Sequence, residues 1–268
     1  MTSRRTRLAA TGLLAAGCLG LVAACGDDDD GADAKTTAAC KADIAIDQGF
    51  KMLFEQTPAL QGEKPPTKAQ LPKIQANYDK FVAAPVSEAE RNAPEEIAPD
   101  IEKAIAASKK FRATGDGSDF ESPALMPSLM KIDTYFYDNC DDEKTEVKGP
   151  DYKFEGLEDS YPAGVRRFKL DNTGKEAHEM IILSRKPGVT ESFDQILKLP
   201  EEKGQSKVDF AGNADTVDPG KASYGVADLK PGEYIAVCFL PKGTTSLGKE
   251  GKGPPHFTLG MKKEFKVE

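Results

Sequence analysis

The hydrophobic period changes once along this chain, at Gly149-Pro150, and that change limits what the sequence can fold into. Upstream, apolar residues recur at threes and fours. Downstream, short apolar runs alternate with polar residues and are broken by Gly, Pro and Asn. One layer arrangement does not serve both patterns, so the 268 residues divide into a helical part and a strand part.

Four helical segments are expected in the first part. The first, Thr37 to Gln56, places Ile44, Ile46, Phe50, Leu53 and Phe54 near one face. The second starts at Thr67, with Gln70 as a capping-box partner, and carries Leu71, Ile74, Tyr78 and Phe81. The third starts near Ser87 and carries Ile97, Ile101, Ile105 and Phe111, with Pro94 and Pro99 weakening its first half. The fourth opens at Ser122-Pro123 and carries Leu125, Leu129, Ile132 and Phe136. The expected fold class is therefore multidomain α and β: an antiparallel four-helix bundle over 38–146, then a Greek-key β-sandwich over 150–268. In an up-down-up-down bundle, Cys40 at the start of helix 1 and Cys140 at the end of helix 4 lie at one end. A Cys40–Cys140 disulfide is expected, worth roughly 4–5 kcal/mol in the chain-entropy model. The bundle contains no histidine, so haem or di-iron ligation has no imidazole to use. Met126 and Met130, four apart, read as core.

Residues 1–24 are a different material. Arg4, Arg5 and Arg7 precede an apolar run from Leu8 to Ala24, the pattern of a secretory signal. The stretch Leu21-Val22-Ala23-Ala24-Cys25-Gly26 resembles the lipobox of bacterial lipoproteins. That resemblance implies a diacylglycerol on Cys25 and a chain held at the extracytoplasmic face of the bacterial cell membrane. The acidic residues that follow, 25–37, read as a disordered tether. Losing residues 1–24 removes three Arg and no acids, taking the net charge from -8 to -11. Such an acidic protein has no means of neutralising phosphates, so a nucleic-acid partner is not expected. A monomer is expected.

Strands are expected at Tyr152–Phe154, Arg166–Asp171, Glu179–Ser184, Ser223–Val226, Tyr234–Phe239 and Lys262–Val267, with one short helix within Thr190–Leu199. This half holds both histidines of the chain, His178 and His256. It also holds Cys238, the cysteine left over once Cys25 is lipidated and Cys40 and Cys140 are joined. With Met261 these make two imidazoles, a thiolate and a thioether. Two His and one Cys with a weak axial Met describe a blue-copper site. Taken singly, His178 reads better as a hydrogen-bonded surface histidine, Cys238 as a small core residue and Met261 as core; it is their joint occurrence that points to a metal.

Three stretches carry a resemblance to the cupredoxins, plastocyanin among them. They are Asn172-Thr-Gly-Lys-Glu-Ala-His178, Gly232-Glu-Tyr-Ile-Ala-Val-Cys238 and Pro255-His256-Phe-Thr-Leu-Gly260-Met261. The resemblance implies one type 1-like copper ion, a redox or copper-exchange protein partner, and single-electron transfer. The segment from Cys238 to His256 departs from it: 17 residues intervene, where plastocyanin-like proteins have a few. The Gly243–Gly253 part reads as flexible, which loosens control of His256. Glu179 is expected to add a carboxylate near the metal. A distorted type 1 site, a copper-delivery protein, zinc at the same ligands and a metal-free interaction module all stay open. Catalysis is not expected, since no nucleophile–base set comes with an oxyanion motif.

Overall fold

The computed structural model describes residues 29–60, 65–246 and 248–268; the expected signal at 1–24 and Cys25 lie outside them. The chain divides into two compact units, Met1–Cys140 and Asp141–Glu268.

Five α-helices form the described part of the first unit: α1 (Asp29–Glu55), α2 (Leu71–Phe81), α3 (Ala83–Arg91), α4 (Ala98–Thr114) and α5 (Met126–Asn139). This corrects the four-helix expectation. The third expected helix is two, because Pro94 lies in the gap and Pro99 takes the first turn of α4, where its missing N–H leaves no bond unmade. Helix α1 begins eight residues before Thr37. Residues 29–37 of the expected tether are therefore helical, with Ala34, Ala38 and Ala39 supplying high intrinsic propensity. Helix α4 ends at Gly115, whose φ of 70° suits a residue without a Cβ. Leu53, Ile74, Tyr78, Val82, Ile97, Ile105, Phe111 and Phe136 are among the residues of one buried cluster. Phe50 meets Tyr78, Phe111 and Phe120 edge-on within it. The Cys40–Cys140 disulfide is present, with Cα atoms 5.8 Å apart, and closes a loop spanning 100 residues. Among the described residues no helix is long and apolar enough to cross a membrane.

The described residues of the second unit form eight strands: β1 (Glu143–Lys148), β2 (Ser160–Tyr161), β3 (Gly164–Asp171), β4 (His178–Arg185), β5 (Val208–Val217), β6 (Ala222–Leu229), β7 (Gly232–Val237) and β8 (Lys262–Val267). They make a three-stranded sheet, β1-β3-β6, and a five-stranded sheet, β2-β8-β7-β4-β5. Both sheets send side chains into one core. Phe168, Leu170 and Leu229 come from the first sheet; Met180, Ile182, Tyr234 and Phe265 come from the second. A sheet has one apolar face to hide, and facing a second sheet hides both.

Strand β1 runs parallel to β3 and was not expected; its residues 143–146 fall in the expected helical half. Its pattern is faint because only Thr145 and Val147 of its six residues are buried. Residues 152–154 are not a strand; Tyr152 has φ 65°, outside the extended range. Strand β5 was not expected either. Its sequence, Val-Asp-Phe-Ala-Gly-Asn-Ala-Asp-Thr-Val, is too polar to read as half-buried. The short helix expected within Thr190–Leu199 is α6 (Phe193–Ile196), closed by a capping box between Ser192 and Gln195. A further turn of helix, α7 (Glu201–Gln205), follows it.

Candidate metal centre

Three neighbouring strands of the larger sheet deliver the candidate ligands to one end of the sandwich. Pairing of Ile181 with Val237 sets β4 against β7, and pairing of Val237 with Lys262 sets β7 against β8. His178 opens β4, Cys238 follows β7 directly, and Met261 directly precedes β8. His256 opens a 3-10 turn, His256–Leu259, that leads into β8. Main-chain bonds fix these three ends to one another. The Cys238 N–H donates to the Met261 carbonyl at 3.1 Å, Met261 N–H to His256 at 3.1 Å, and Phe257 N–H to Cys238 at 3.0 Å.

His178, Cys238, His256 and Met261 have no exposed surface. One donor atom from each of the first three lies within 4.8 Å of the other two. The two Nδ1 atoms are 3.2 Å apart, and Cys238 Sγ is 3.4 Å from His256 Nδ1. The Met261 methyl and the His178 ring both flank Gly149: a Cβ there would stand 3.5 Å from Met261 Cε and 3.7 Å from His178 Cδ2.

The outer nitrogen of each imidazole meets a carboxylate. His178 Nε2 donates to Asp151 Oδ1 at 3.3 Å, and His256 Nε2 donates to Glu176 Oε2 at 3.0 Å. A carboxylate only accepts, so each ring carries its proton on Nε2 and a lone pair on Nδ1. The two lone pairs then face each other beside a sulfur, in a fully buried space. Such a set repels itself unless the thiol proton or a cation lies between. The donor chemistry, two imidazoles and one thiol, suits copper or zinc.

Burial pushes the pKa of His178 below its ordinary value, and the neighbouring His256 adds to this; Asp151 opposes it without prevailing. Burial likewise lowers His256 against the pull of Glu176. Both rings are therefore neutral near pH 7, the form that ligates. Burial alone would raise both carboxyls, yet each is held low. For Asp151 the backbone N–H groups of Lys175 and Glu176 outweigh burial, helped by His178. For Glu176 the Gly243 N–H, Tyr152 and His256 do so. The Tyr152 hydroxyl is pushed up to about 12 by burial and by the Glu176 carboxylate that accepts from it.

The Asn172-x-Gly174 stretch has a structural reason. Asn172 is buried and its amide donates to the carbonyls of Glu176 and Val217, at 2.8 and 2.9 Å, pinning the turn to β5. Gly174 passes over the His178–Asp151 pair so closely that a Cβ would sit 2.6 Å from His178 Nε2. Any side chain at 174 enters that hydrogen bond.

Two expectations change. Glu179 is not beside the metal donors: its Oε1 accepts from the Phe239 N–H at 3.1 Å and its Oε2 from Thr216 at 3.4 Å. Strand alternation sends it to the face opposite His178. The long segment between Cys238 and His256 is also tied together at its base, which bears on His256. Pro241 pairs with Pro255, Lys242 and Pro254 bond through N–H and carbonyl at 2.9 Å, and His256 N–H donates to Leu240 at 2.8 Å. Asp151 and Glu176 were not expected. Glu176 stands two residues before His178, a spacing that shares one side of an extended chain, and that was the available signal.

No family model matches the chain, and no curated protein matches it. Among solved structures it is similar to sodium-dithionite-reduced auracyanin from the photosynthetic bacterium Roseiflexus castenholzii, at 17% identity and a TM-score of 0.31, over 47% of this chain and 96% of that one. It is similar to auracyanin A, a "blue" copper protein of Chloroflexus aurantiacus, at 14% identity and a TM-score of 0.30, over 47% and 98%. It is similar to rusticyanin from Thiobacillus ferrooxidans, at 15% identity and a TM-score of 0.30, over 47% and 76%.

Proposed function

We propose that this chain binds one copper ion in its second unit and passes single electrons in the cell envelope. A lipid on Cys25 would hold it at the extracytoplasmic face of the membrane. The metal reading is carried by the convergence of one donor atom each from His178, His256 and Cys238 within 4.8 Å, buried and with both ring protons turned away. Copper, held by those three atoms with Met261 as a weak fourth donor, supplies a one-electron couple when bound.

The chain's own residues supply the rest. Asp151 and Glu176 keep each imidazole's lone pair on the centre. Main-chain bonds among Cys238, His256 and Met261 hold the donors whether or not charge changes between them. Full burial keeps water out, so a change of charge meets little rearrangement. Leu259 is exposed and Phe257 half-buried beside His256. With Pro254 and Pro255 they form the apolar edge on which a redox partner would dock. The bonded loop supports electron transfer over metal delivery, since delivery needs His256 to swing out.

Metal analysis and optical spectroscopy on the chain from Asp27 onward test this. Stoichiometric copper and an intense thiolate-to-copper band are expected in the wild type, both lost in Cys238→Ser. Zinc in place of copper in protein taken from its native envelope would overturn the redox role. Mass spectrometry of detergent-extracted protein should find the lipid on Cys25, and Cys25→Ala should release the chain into the soluble fraction.

A further inference from the structure

We infer that Glu176 is a positioning residue that latches His256 onto the centre and holds the long Cys238–His256 segment closed; this deepens the metal-binding reading above and rests on it. The two carboxylates behind the imidazoles are not equivalent. Asp151 accepts from its own ring and from the Lys175 and Glu176 N–H groups of the adjoining turn. Glu176 joins three separate stretches of chain. Its Oε2 accepts from the Gly243 N–H at 2.6 Å and from His256 Nε2 at 3.0 Å, while its Oε1 accepts from the Tyr152 hydroxyl at 2.9 Å. Tyr152 in turn stands edge-on to His256, ring centroids 5.1 Å apart. Beside the latch the Ala177 N–H donates to the Thr244 carbonyl at 2.7 Å, stitching residues 176–177 to 243–244.

A connection of a few residues would hold its histidine by length alone. Here 17 residues separate Cys238 from His256, so length imposes little; main-chain bonds close the base of the segment, and side-chain bonding adds the restraint on the ring itself. One carboxylate does so at both places that matter, the loop and the ring. Without it a buried imidazole N–H, a backbone N–H and a phenol lose their acceptor together, and a buried donor without an acceptor is costly. The ring then shifts its proton to Nδ1 or turns, and either change takes the lone pair off the centre.

The full chain, metal-free and Cu(II)-loaded, is compared as wild type, Glu176→Ala and Tyr152→Phe. In the metal-free wild type, nitrogen–proton correlation spectra of the His256 ring should show one tautomer, protonated at Nε2. Glu176→Ala, which removes the acceptor altogether, should show both tautomers and exchange the Gly243 amide at least ~10-fold faster. In the loaded protein, copper transfer to excess EDTA should be about 10–100-fold faster in Glu176→Ala, the usual weight of a second layer behind a metal ligand. Tyr152→Phe should move every readout the same way by less. Unchanged tautomer and Gly243 exchange in Glu176→Ala would overturn the latch; unchanged copper transfer would overturn its role in retention. If the wild type takes up no copper, the metal reading falls, and the metal-free readouts still decide the latch. If Glu176→Ala does not fold, a wild-type His256 ring protonated at Nδ1, or a wild-type Gly243 amide that exchanges as fast as an unbonded one, overturns it.

Discussion

The two units bury polar groups for opposite ends. In the helical unit each such group closes on a neighbour. Tyr78 and Ser108 share a hydrogen bond of 2.6 Å, Asn77 donates to the Gln56 carbonyl and to Thr57, and Asp100 accepts from Ser128, Lys103 and Lys131. These bonds tie helices together and leave nothing over. In the sandwich, the His178 and His256 rings are bonded on their outer nitrogens while their inner nitrogens converge with the Cys238 sulfur. Donor capacity left pointing at one place marks where chemistry can happen, and the helical unit shows none among its described residues.

The largest test of that contrast removes the disulfide. Replacing Cys40 and Cys140 by Ser should cost the helical unit roughly 4–5 kcal/mol in urea unfolding. Amide protection should fall over 29–139, while copper binding by the sandwich stays as it was. A parallel loss of copper affinity would break the contrast. Next, Gly174→Ala should overpack the His178–Asp151 pair, costing about 1–3 kcal/mol in the sandwich and shifting the visible copper spectrum. An unshifted spectrum would show that the turn does not govern the ring. Tyr78→Phe should cost about 1 kcal/mol, since it leaves Ser108 without that bond and touches no metal donor.

The mildest test is pH. Both histidines belong to the sandwich and have folded pKa values below the ordinary value of about 6.5. The unfolded chain takes up protons that the folded rings refuse, so their contribution is full above that value and is lost as pH falls below it. The helical unit has no histidine. Its Asp100, held low by Lys131, Ser128 and Lys103, and its Asp79, held low by Arg112, keep their contribution until pH falls below the ordinary carboxylate value of about 4. Between pH 7 and about 5 the urea midpoint of the metal-free sandwich should therefore fall while that of the helical unit holds. Equal drift in both would sink the assignment of neutral rings.

Scarcity made the inner ligands legible. With 2 His and 5 Cys in the chain, the positions of His178, Cys238 and His256 carry information on their own. The carboxylates behind them had no such advantage: Asp151 and Glu176 are two among 44 acids, and their role follows from folding that brings 151, 176 and 243 together. The same limit applies to the fold. Strands with a buried apolar stripe, such as β3, β4 and β8, show their period. Strand β1 gains its place from a parallel partner rather than from its own side chains, and β5 lies close against β6 at Gly212 and Gly225, where the lack of a side chain matters more than hydrophobicity. Proline placed the break between α3 and α4 in plain view, and reading it as weakness in one helix rather than a boundary gave four helices where the described residues form five.

Complete enclosure of Cys238 has a consequence for how such a centre is assembled. Peroxide and disulfide exchange act on thiolates they can reach, and this sulfur offers them no surface. Oxidants in solution should therefore leave this thiol intact in the metal-free protein, and iodoacetamide should label it only as fast as the sandwich opens. Oxidative damage and metal entry would then share one gate, and the same breathing motion would set the pace of both.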